Sequence, residues 1–414
     1  MKQAKIFILS ALMAFTISGC SGIQSETKKS ENLSDKTVSL TVWGSEQDQE
    51  LLSEMVESFK AAYKKEADFD ITLGEVDESI SKVTILSNVT NTADVFAFAD
   101  DQLMELAAAG VIEPVENAQK IKEWNSKASV SAASVDDVLY AYPMTADNGY
   151  FMFYNKKYLS EADVKTMDKM LETAASLNKK VTMDWSSGWY LYSFFGNTGL
   201  SLGLNDDGIT NYCDWNSRTG KIKGIDVGNA MLKIANSSGF LNTDDQGLIS
   251  GAESGMVIAG VSGVWSANKL QKIWGDDFAA VKLPTYTCAG NQVQMSSYSG
   301  YKMIGVNAYS KQKNWAAKLA EWITNEENQT LRFETRGQAP SNERAAESEM
   351  LNQAQAIQAL IAQAEFSSLQ RVGNNYWSSV EEFGKKLINN KVSKENMQNQ
   401  MDILVKGITL KIVD

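Results

Sequence analysis

Tryptophans in polar surroundings are the residues of this sequence with the clearest chemical meaning. Trp189, Trp265 and Trp377 lie among Gly, Ser and Asn residues rather than within apolar runs. A core tryptophan usually has apolar neighbours at a strand or helix period, as Trp322 has in a helical pattern. Flat aromatic faces beside polar groups suit two kinds of ligand, stacked bases and the apolar C–H faces of sugar rings.

The net charge of the chain indicates which of these two kinds of ligand is expected. The sequence has 51 acidic and 39 basic residues, and its formal net charge is −12. Bases come with phosphates, which require a basic groove, so we expect no nucleic-acid partner. Sugars are neutral and call for aromatic platforms together with Asp, Asn, Gln and Glu side chains that bond their hydroxyls.

The absence of histidine restricts catalysis and metal binding. The 414 residues include none, which excludes Ser-His-Asp triads and imidazole metal sites. Gly199–Gly203 matches G-x-S-x-G, but loop residues follow it instead of a helix. Paired carboxylates such as Glu381-Glu382 could hydrolyse glycosides, and Asp244-Asp245 could hold calcium, but solvated surfaces and turns are the favoured interpretation. We expect a protein that is not an enzyme, with no cofactor and no metal.

The two cysteines that follow Cys20 in the sequence match no catalytic or metal-binding motif. Cys213 and Cys288 are expected to be isolated, partly buried thiols. A bridge between them stays open, because sequence alone does not show whether their Cα atoms lie within about 7 Å.

The N-terminal segment has the order of an export signal. Residues 1–19 begin with two lysines, continue with an apolar run and end in small residues. The sequence Ile17-Ser18-Gly19-Cys20 resembles the lipobox of bacterial lipoproteins, which implies lipidation of Cys20. Residues 20–37 are rich in Ser, Glu, Lys and Thr, so we expect a lipidated N-terminus and a flexible tether. The expected location is the outer face of the cell membrane, with Cys20 as the anchor.

Strand and helix patterns alternate after the tether. Residues 38–43, 70–73 and 93–98 have strand character, and apolar residues at helical spacing separate the first two. This order predicts an α/β fold with a mostly parallel sheet, whose ligands bind beyond the carboxyl ends of the strands. Those ends are Gly44-Ser45-Glu46-Gln47 and Ala99-Asp100-Asp101-Gln102.

Behind the lipobox, a series of short segments resembles the maltose/maltodextrin-binding proteins, a family 1 type of extracellular solute-binding lipoprotein that serves bacterial ABC importers. The resemblance extends from about residue 38 to residue 412, and it depends on the order and spacing of its markers. These markers are Leu40-Thr41-Val42-Trp43, Ala93-Asp94-Val95-Phe96, Ala141-Tyr142-Pro143, Tyr154-Asn155-Lys156, Gly263-Val264-Trp265, Leu283-Pro284-Thr285, Gly305-Val306-Asn307-Ala308 and Tyr376-Trp377.

The resemblance implies a two-lobed periplasmic-binding-protein-like fold with a hinge and an interlobe ligand cleft. Lobe one would comprise residues 38–145 plus 303–335, and lobe two residues 150–299 plus 340–412. The first crossing between the lobes would lie near residues 146–149.

The resemblance also implies a set of sugar-binding residues. Trp265, Trp377 and Trp189, with Tyr190 beside it, would stack on sugar rings, and Phe98 would take the place of a stacking tryptophan of lobe one. Asp101 and either Asp147 or Asn148 would bond hydroxyls at the cleft floor. The family's arginine is replaced by Gln102, and its Asp-Lys pair is shifted or lost near Gln47-Asp48. The predicted ligand-binding set is Trp265, Trp377, Trp189, Tyr190, Phe98, Asp101, Asp147, Asn148, Glu46 and Gln47.

The function implied by the family is capture and delivery of a sugar. An oligosaccharide, with an α-glucan such as maltose or a maltooligosaccharide expected first, would stabilise the closed form of a monomer. ABC transporter permease subunits would recognise that form. The alternatives are a secreted carbohydrate-active enzyme and a glycan adhesin or sensor on the same fold.

Overall fold

The computed structural model describes residues 37–348, 351 and 353–411. The predicted signal peptide 1–19, Cys20 and nearly all of the predicted tether lie outside these residues. Within the described ranges, no helix combines the length and the apolar character that crossing a membrane requires.

Strands and helices alternate through most of the described chain. The strands are β1 (Thr37–Gly44), β2 (Asp68–Glu75), β3 (Val95–Ala99), β4 (Ser134–Val135), β5 (Val138–Leu139), β6 (Ala141–Thr145), β7 (Phe151–Asn155), β8 (Lys180–Met183), β9 (Leu202–Leu204), β10 (Asn211–Cys213), β11 (Phe240–Asn242), β12 (Val257–Ser262), β13 (Phe278–Val281), β14 (Thr285–Cys288), β15 (Asn291–Gln294), β16 (Ser297–Ser299), β17 (Lys302–Val306) and β18 (Ser367–Leu369). The helices are α1 (Gln49–Tyr63), α2 (Ser81–Ser87), α3 (Leu103–Ala108), α4 (Ala118–Trp124), α5 (Lys127–Ala132), α6 (Met167–Ser176), α7 (Gly188–Leu191), α8 (Gly224–Ala235), α9 (Asp245–Glu253), α10 (Ala267–Trp274), α11 (Lys313–Ile323), α12 (Glu326–Arg336), α13 (Glu343–Ala346), α14 (Gln355–Ala364), α15 (Asn375–Ile388) and α16 (Met397–Ile408).

Two five-stranded sheets form the centres of the molecule. The first has the order β2-β1-β3-β17-β6, and the second has the order β11-β8-β12-β7-β13. β1 is parallel to β2 and β3, whereas β17 runs antiparallel to β3 and β6. In the second sheet, β7 runs antiparallel to β12 and β13. The sheets are therefore mixed rather than mostly parallel, because a strand in each one reverses direction.

The hydrophobic cores follow the two sheets. One cluster takes its buried members from residues 38–144 and 303–323. Two other clusters take theirs from residue 150 onward, including the helices near the C-terminus. The α/β fold is two-lobed, as predicted.

Three chain segments lie side by side where the chain passes between the lobes. The backbone N–H of Ala146 donates to the carbonyl of Ala339 over 2.9 Å, and that of Asn148 donates to Gly300 over 3.2 Å. The N–H of Ala339 donates to Asp147 Oδ2 over 2.7 Å. These bonds fasten the segments 145–149, 299–302 and 337–340 to one another, and we refer to the three together as the crossing segments.

The fold forms neither a disulfide bridge between the two interior cysteines nor a nucleophile elbow at the G-x-S-x-G match, within the described residues. Cys213 and Cys288 are both free, as expected of isolated thiols, and burial raises their pKa values to about 12 and about 11. The G-x-S-x-G match leads into β9, which pairs antiparallel with β10, instead of into a helix. It does not form a nucleophile elbow.

Candidate functional site

A cavity of about 580 Å³ lies between the two lobes. The crossing segments form its floor with the side chains of Asn148, Lys302 and Gln338. The wall from the first lobe is mostly polar and includes Ser45, Gln47, Glu78, Lys82, Asp101 and Gln102. The wall from the second lobe includes Trp189, Asp245, Trp265, Gln370, Asn374 and Trp377. Among the described residues that line the cavity, the aromatic ones all belong to the second lobe.

Trp265 is held by a carboxylate from a neighbouring helix. It lies in a short turn directly after β12, and its indole Nε1 donates to Asp245 Oδ2 over 2.7 Å. The hydroxyls of Ser262 and Tyr190 donate to Asp245 Oδ1 over 2.6 and 3.2 Å. Burial raises the pKa of Asp245, although the three donors oppose that shift. A single acceptor therefore fixes the orientation of the Trp265 ring.

Trp189 and Trp377 rest on a shared tyrosine. Tyr298 is fully buried, and the ring of Trp189 stacks on it with centroids 5.4 Å apart and planes at 29°. The ring centroid of Trp377 lies 6.2 Å from that of Tyr298. Tyr376 contacts the Trp377 ring edge to face, with centroids 5.0 Å apart. The Trp189 carbonyl accepts a bond from Tyr150 over 2.8 Å. Buried aromatic residues thus hold both tryptophans at the cavity surface.

Two adjacent carboxyl groups of the first lobe contact the second lobe; Asp101 lines the cavity, and Asp100 is buried and does not line it. Gln370 Nε2 donates to Asp101 Oδ1 over 2.8 Å and to Asp100 Oδ1 over 3.2 Å. Burial raises the pKa of Asp100 to about 6, and burial together with the neighbouring Asp100 charge raises that of Asp101 to about 8. At neutral pH the pair therefore holds a proton, so it offers a donor as well as acceptors.

Further contacts join the lobes at the edge of the cavity. Lys82 Nζ donates to Asn374 Oδ1 over 3.0 Å and forms an ion pair with Glu105 at 2.9 Å. The amide of Asn374 donates to Glu105 Oε2 over 3.1 Å. The lobes are therefore in direct contact at one side of the cavity.

The floor of the cavity carries a buried ion pair. Lys302 Nζ lies 3.4 Å from Glu78 Oε2 and 5.6 Å from the centroid of the Trp265 ring. Burial alone would lower the pKa of Lys302, but the negative charges of Glu78, Asp147 and Asp48 outweigh burial and raise it. Lys302 is thus a permanent cation at neutral pH.

A second charge cluster lies behind the wall of the first lobe. Asp48 is buried and forms ion pairs with Arg332 and with Arg336, the latter at 2.9 Å. Burial would raise the pKa of Asp48, but the two guanidinium groups lower it to about 2. Arg336 also donates to Gln47 Oε1 over 2.8 Å. Asp48 therefore orients a guanidinium and a glutamine that line the cavity, and it does not itself line it.

The cavity brings together six of the ten residues predicted to bind ligand. These six are Trp189, Trp265, Trp377, Asp101, Asn148 and Gln47. Tyr190 lies behind the wall, where it supports Asp245, and Asp147 is buried in the crossing segments as an acceptor for Ala339.

Phe98 and Glu46 also lie away from the cavity wall. Phe98 was expected to be a stacking residue, but its ring is fully buried in the core of the first lobe and packs on Phe96 at 5.5 Å. Ala99, the next residue of β3, lines the cavity instead. Glu46 is exposed in the short turn of helix before α1.

Sequence reasoning missed several residues of the cavity. Asp245 was assigned with Asp244 to a solvated turn, but only Asp244 behaves so, as the N-cap that accepts from Gly247. Glu78, Lys302 and Gln370 were not singled out, because their partners lie between 224 and 270 residues away. No local signal in the sequence marks such pairs. In the described part of the chain, no group of His, Cys, Asp and Glu residues is arranged to hold a metal ion.

Proteins of known structure and function resemble this chain over most of its length. The galactooligosaccharide-binding protein of Bacillus subtilis (strain 168) is 26% identical over 385 residues, which cover 88% of this chain and 87% of the relative. The maltodextrin-binding protein MdxE of the same bacterium is 22% identical over 363 residues, which cover 83% of this chain and 81% of that relative. A solved structure with acarbose superposes with a TM-score of 0.81 at 26% identity, and covers 90% of this chain and 99% of that chain.

A match to a protein-family profile shows which family the chain belongs to. The profile described as bacterial extracellular solute-binding protein matches residues 54–359, which is more than half of the chain. The named relatives are binding proteins, in agreement with a cavity walled by fixed aromatic and polar side chains. The chain belongs to the bacterial extracellular solute-binding proteins.

Proposed function

We propose that this protein captures a neutral oligosaccharide in the cavity between its lobes and presents it to an ABC transporter. The observation that carries the proposal is the contrast between the cavity walls. Three tryptophans held by buried partners lie on one wall, and carboxyl, amide and hydroxyl groups lie on the other. Sugar rings have an apolar face for the tryptophans and hydroxyls for the polar groups.

Within this proposal, lobe one is 38–145 plus 303–335 and lobe two is 150–299 plus 340–412. The sugar stacks on Trp189, Trp265 and Trp377 and bonds to Asp101, Asn148 and Gln47. Because it contacts both lobes, it binds the closed form more tightly and shifts the population toward that form. Permease subunits recognise the closed monomer, and nothing in the sugar is chemically changed.

The ligand class has two candidates. A maltooligosaccharide is our first choice, supported by the resemblance of the sequence and by the relative named for maltodextrin. A galactooligosaccharide is the second, supported by the relative that is 26% identical over 385 residues. Both have neutral rings with apolar faces, so the cavity walls alone suit either.

The N-terminus completes the proposal. Residues 1–19 direct export, and the lipidated Cys20 anchors the protein to the outer face of the cell membrane through the tether 20–37. The test is palmitate labelling in a bacterium that processes lipoproteins. Labelled protein should become unlabelled and soluble after Cys20→Ala. Equal labelling of that variant would contradict the anchor.

The function itself is tested by calorimetry with maltotriose, β-1,4-galactotriose, cellotriose and glucuronic acid trimers. We expect binding of maltotriose or galactotriose, with recovery of intact sugar after long incubation. Trp265→Ala and Trp377→Ala should each weaken binding by about 1–3 kcal/mol, as removal of a central aromatic residue does. Tyr309→Ala, which removes an exposed tyrosine remote from the cavity, is the control. Failure of every oligosaccharide to bind would refute the proposal.

A further inference from the structure

We propose that Glu78 and Lys302 form a hydroxyl-binding subsite at the floor of the cavity, which receives the terminal ring of a neutral oligosaccharide. This subsite depends on the proposed function, because it names how that same cavity recognises one end of its sugar. Neither residue is aromatic and neither was singled out by the sequence.

Glu78 is a buried carboxylate with an unused oxygen. Its side chain is 4% exposed, and Oε2 lies 3.4 Å from Lys302 Nζ. Oε1 is buried and has no hydrogen-bond partner within the described chain. A buried acceptor without a partner costs about 1–3 kcal/mol, and more when it is charged. Glu78 also lines the cavity, so a rotation of its carboxyl group would bring this oxygen to a ligand hydroxyl, and the new bond would remove that cost.

Lys302 supplies the complementary donor. Its ammonium has three N–H groups, and its one described side-chain hydrogen bond goes to Glu78. The side chain is 13% exposed and also lines the cavity. A hydroxyl donates one hydrogen bond and accepts others, so it matches a neighbouring ammonium and carboxylate at once.

The position of Trp265 connects this pair to a sugar ring. Lys302 Nζ lies 5.6 Å from the centroid of the Trp265 ring, close enough for a cation–π contact. A ring stacked on Trp265 therefore brings its edge hydroxyls to the ion pair. Asp245 fixes the indole, and pairing with Ala99 and Thr145 fixes the backbone of Lys302, so the two parts of the subsite are held before the ligand arrives.

The floor determines which part of the ligand binds here. Asn148, Lys302 and Gln338 come from the three crossing segments, and the backbone of 145–149 is bonded to each of the other two. A sugar chain does not pass through this floor, so the subsite receives a terminal ring. The pair has no net charge, and residues of both signs lie near it on the cavity wall, Asp77 and Asp101 with Lys82 and Arg336. Its donor and acceptor match a hydroxyl, which both donates and accepts a hydrogen bond.

The test measures binding of maltotriose and β-1,4-galactotriose by calorimetry to Lys302→Met and Glu78→Gln. Each variant should bind the preferred trisaccharide about 10- to 100-fold more weakly, the range for a lost hydrogen bond to a charged group. Lys313→Met and Glu113→Gln are the matched controls. They break a surface ion pair of 2.9 Å in the first lobe and should bind as the wild type does.

Modified sugars separate recognition from a structural role. The same trisaccharide is tested after reduction to its alditol and after O-methylation of its non-reducing 4-hydroxyl. One of these should bind the wild type about tenfold more weakly and should show no further loss with Lys302→Met. If a single variant does not fold, Glu78→Gln/Lys302→Gln keeps a hydrogen-bonded pair without charge, and it should fold and still lose binding.

The outcomes are distinct. Wild-type binding of a trisaccharide with equal affinity in Lys302→Met and Glu78→Gln overturns the subsite and leaves the proposed function standing. Weaker binding that is the same for native and end-modified sugars assigns the pair a structural role and also overturns the subsite. If no oligosaccharide binds the wild type, the proposed function fails, and the subsite fails with it.

Discussion

Asp245 is the residue whose replacement most directly tests how the aromatic wall is built. Its carboxylate accepts bonds from Trp265 Nε1 at 2.7 Å, Ser262 Oγ at 2.6 Å and the Tyr190 hydroxyl at 3.2 Å. Asp245→Asn keeps the shape of the side chain but replaces one acceptor oxygen with an NH₂ group, which only donates. At least one of the three donors is then left without an acceptor.

The size of the effect follows from these contacts. A hydrogen bond to a charged group contributes about 1.5–3 kcal/mol, and an unsatisfied buried donor costs about 1–3 kcal/mol. Ser262 can turn its hydroxyl toward Ser266, which lies 2.9 Å away, so part of the loss is recovered. We expect Asp245→Asn to lower the free energy of unfolding by about 2 kcal/mol. Because the Trp265 ring loses its fixed orientation, the affinity for sugar should fall about 10-fold.

Two measurements and a neighbouring residue make this prediction specific. Urea unfolding followed by tryptophan fluorescence reports stability, and calorimetry with the preferred trisaccharide reports affinity. Asp244→Asn is the matched control, because Asp244 is an exposed N-cap at which Asn and Asp are nearly equivalent. If Asp245→Asn binds sugar as tightly as Asp244→Asn does, the carboxylate does not set the orientation of Trp265, and the reasoning is refuted.

Two further predictions concern the buried charges. The pKa values of Asp100 and Asp101 are raised above their unfolded values, so the folded state binds more protons, and stability should fall as pH rises from about 4 to about 8. Asp101→Asn should therefore gain stability relative to wild type across that window in urea unfolding; a difference that does not vary with pH would contradict the assignment. Arg332→Met should cost about 3–5 kcal/mol in the same assay, since it leaves the buried Asp48 with one cationic partner. Arg344→Met, which breaks an exposed pair at 3.6 Å, should cost less than about 1 kcal/mol, and equal losses would refute the argument.

Local patterns in the sequence predicted an α/β fold and tryptophans outside the core, whereas the two lobes and the binding set were predicted from the resemblance to a family. The strands β1 and β3 were predicted because their apolar and β-branched residues form short runs between turns. The three cavity tryptophans could be identified because each lies among Gly, Ser and Asn, a setting unlike that of a core residue. Gly110 has a φ of 65° just after α3, the left-handed conformation that glycine adopts readily at the end of a helix.

Predictions were wrong where the side of an element decides the role of a residue. In β3 all five residues are buried, so no alternation in the sequence distinguishes Phe98 in the core from Ala99 at the cavity. Asp245 differs from its neighbour Asp244 only in the direction of its side chain, which is set by contacts with Ser262 and Trp265, 17 and 20 residues away. Such distinctions depend on tertiary packing and cannot be obtained from local sequence.

The tryptophans lie on one wall of the cavity and most of the polar groups on the other, which suggests an order in which a sugar binds to them. The tryptophans of the second lobe are held by Tyr298 and Asp245, which belong to the same lobe, so these contacts do not depend on closure of the lobes. The polar groups of the first lobe gain contact with a ligand only as the lobes approach. Under the proposed function, a sugar first stacks on the second lobe, and its hydroxyls then stabilise closure through the first lobe and the floor. Loss of a tryptophan should therefore weaken the initial encounter, whereas loss of a polar group opposite should mainly favour opening of the closed complex.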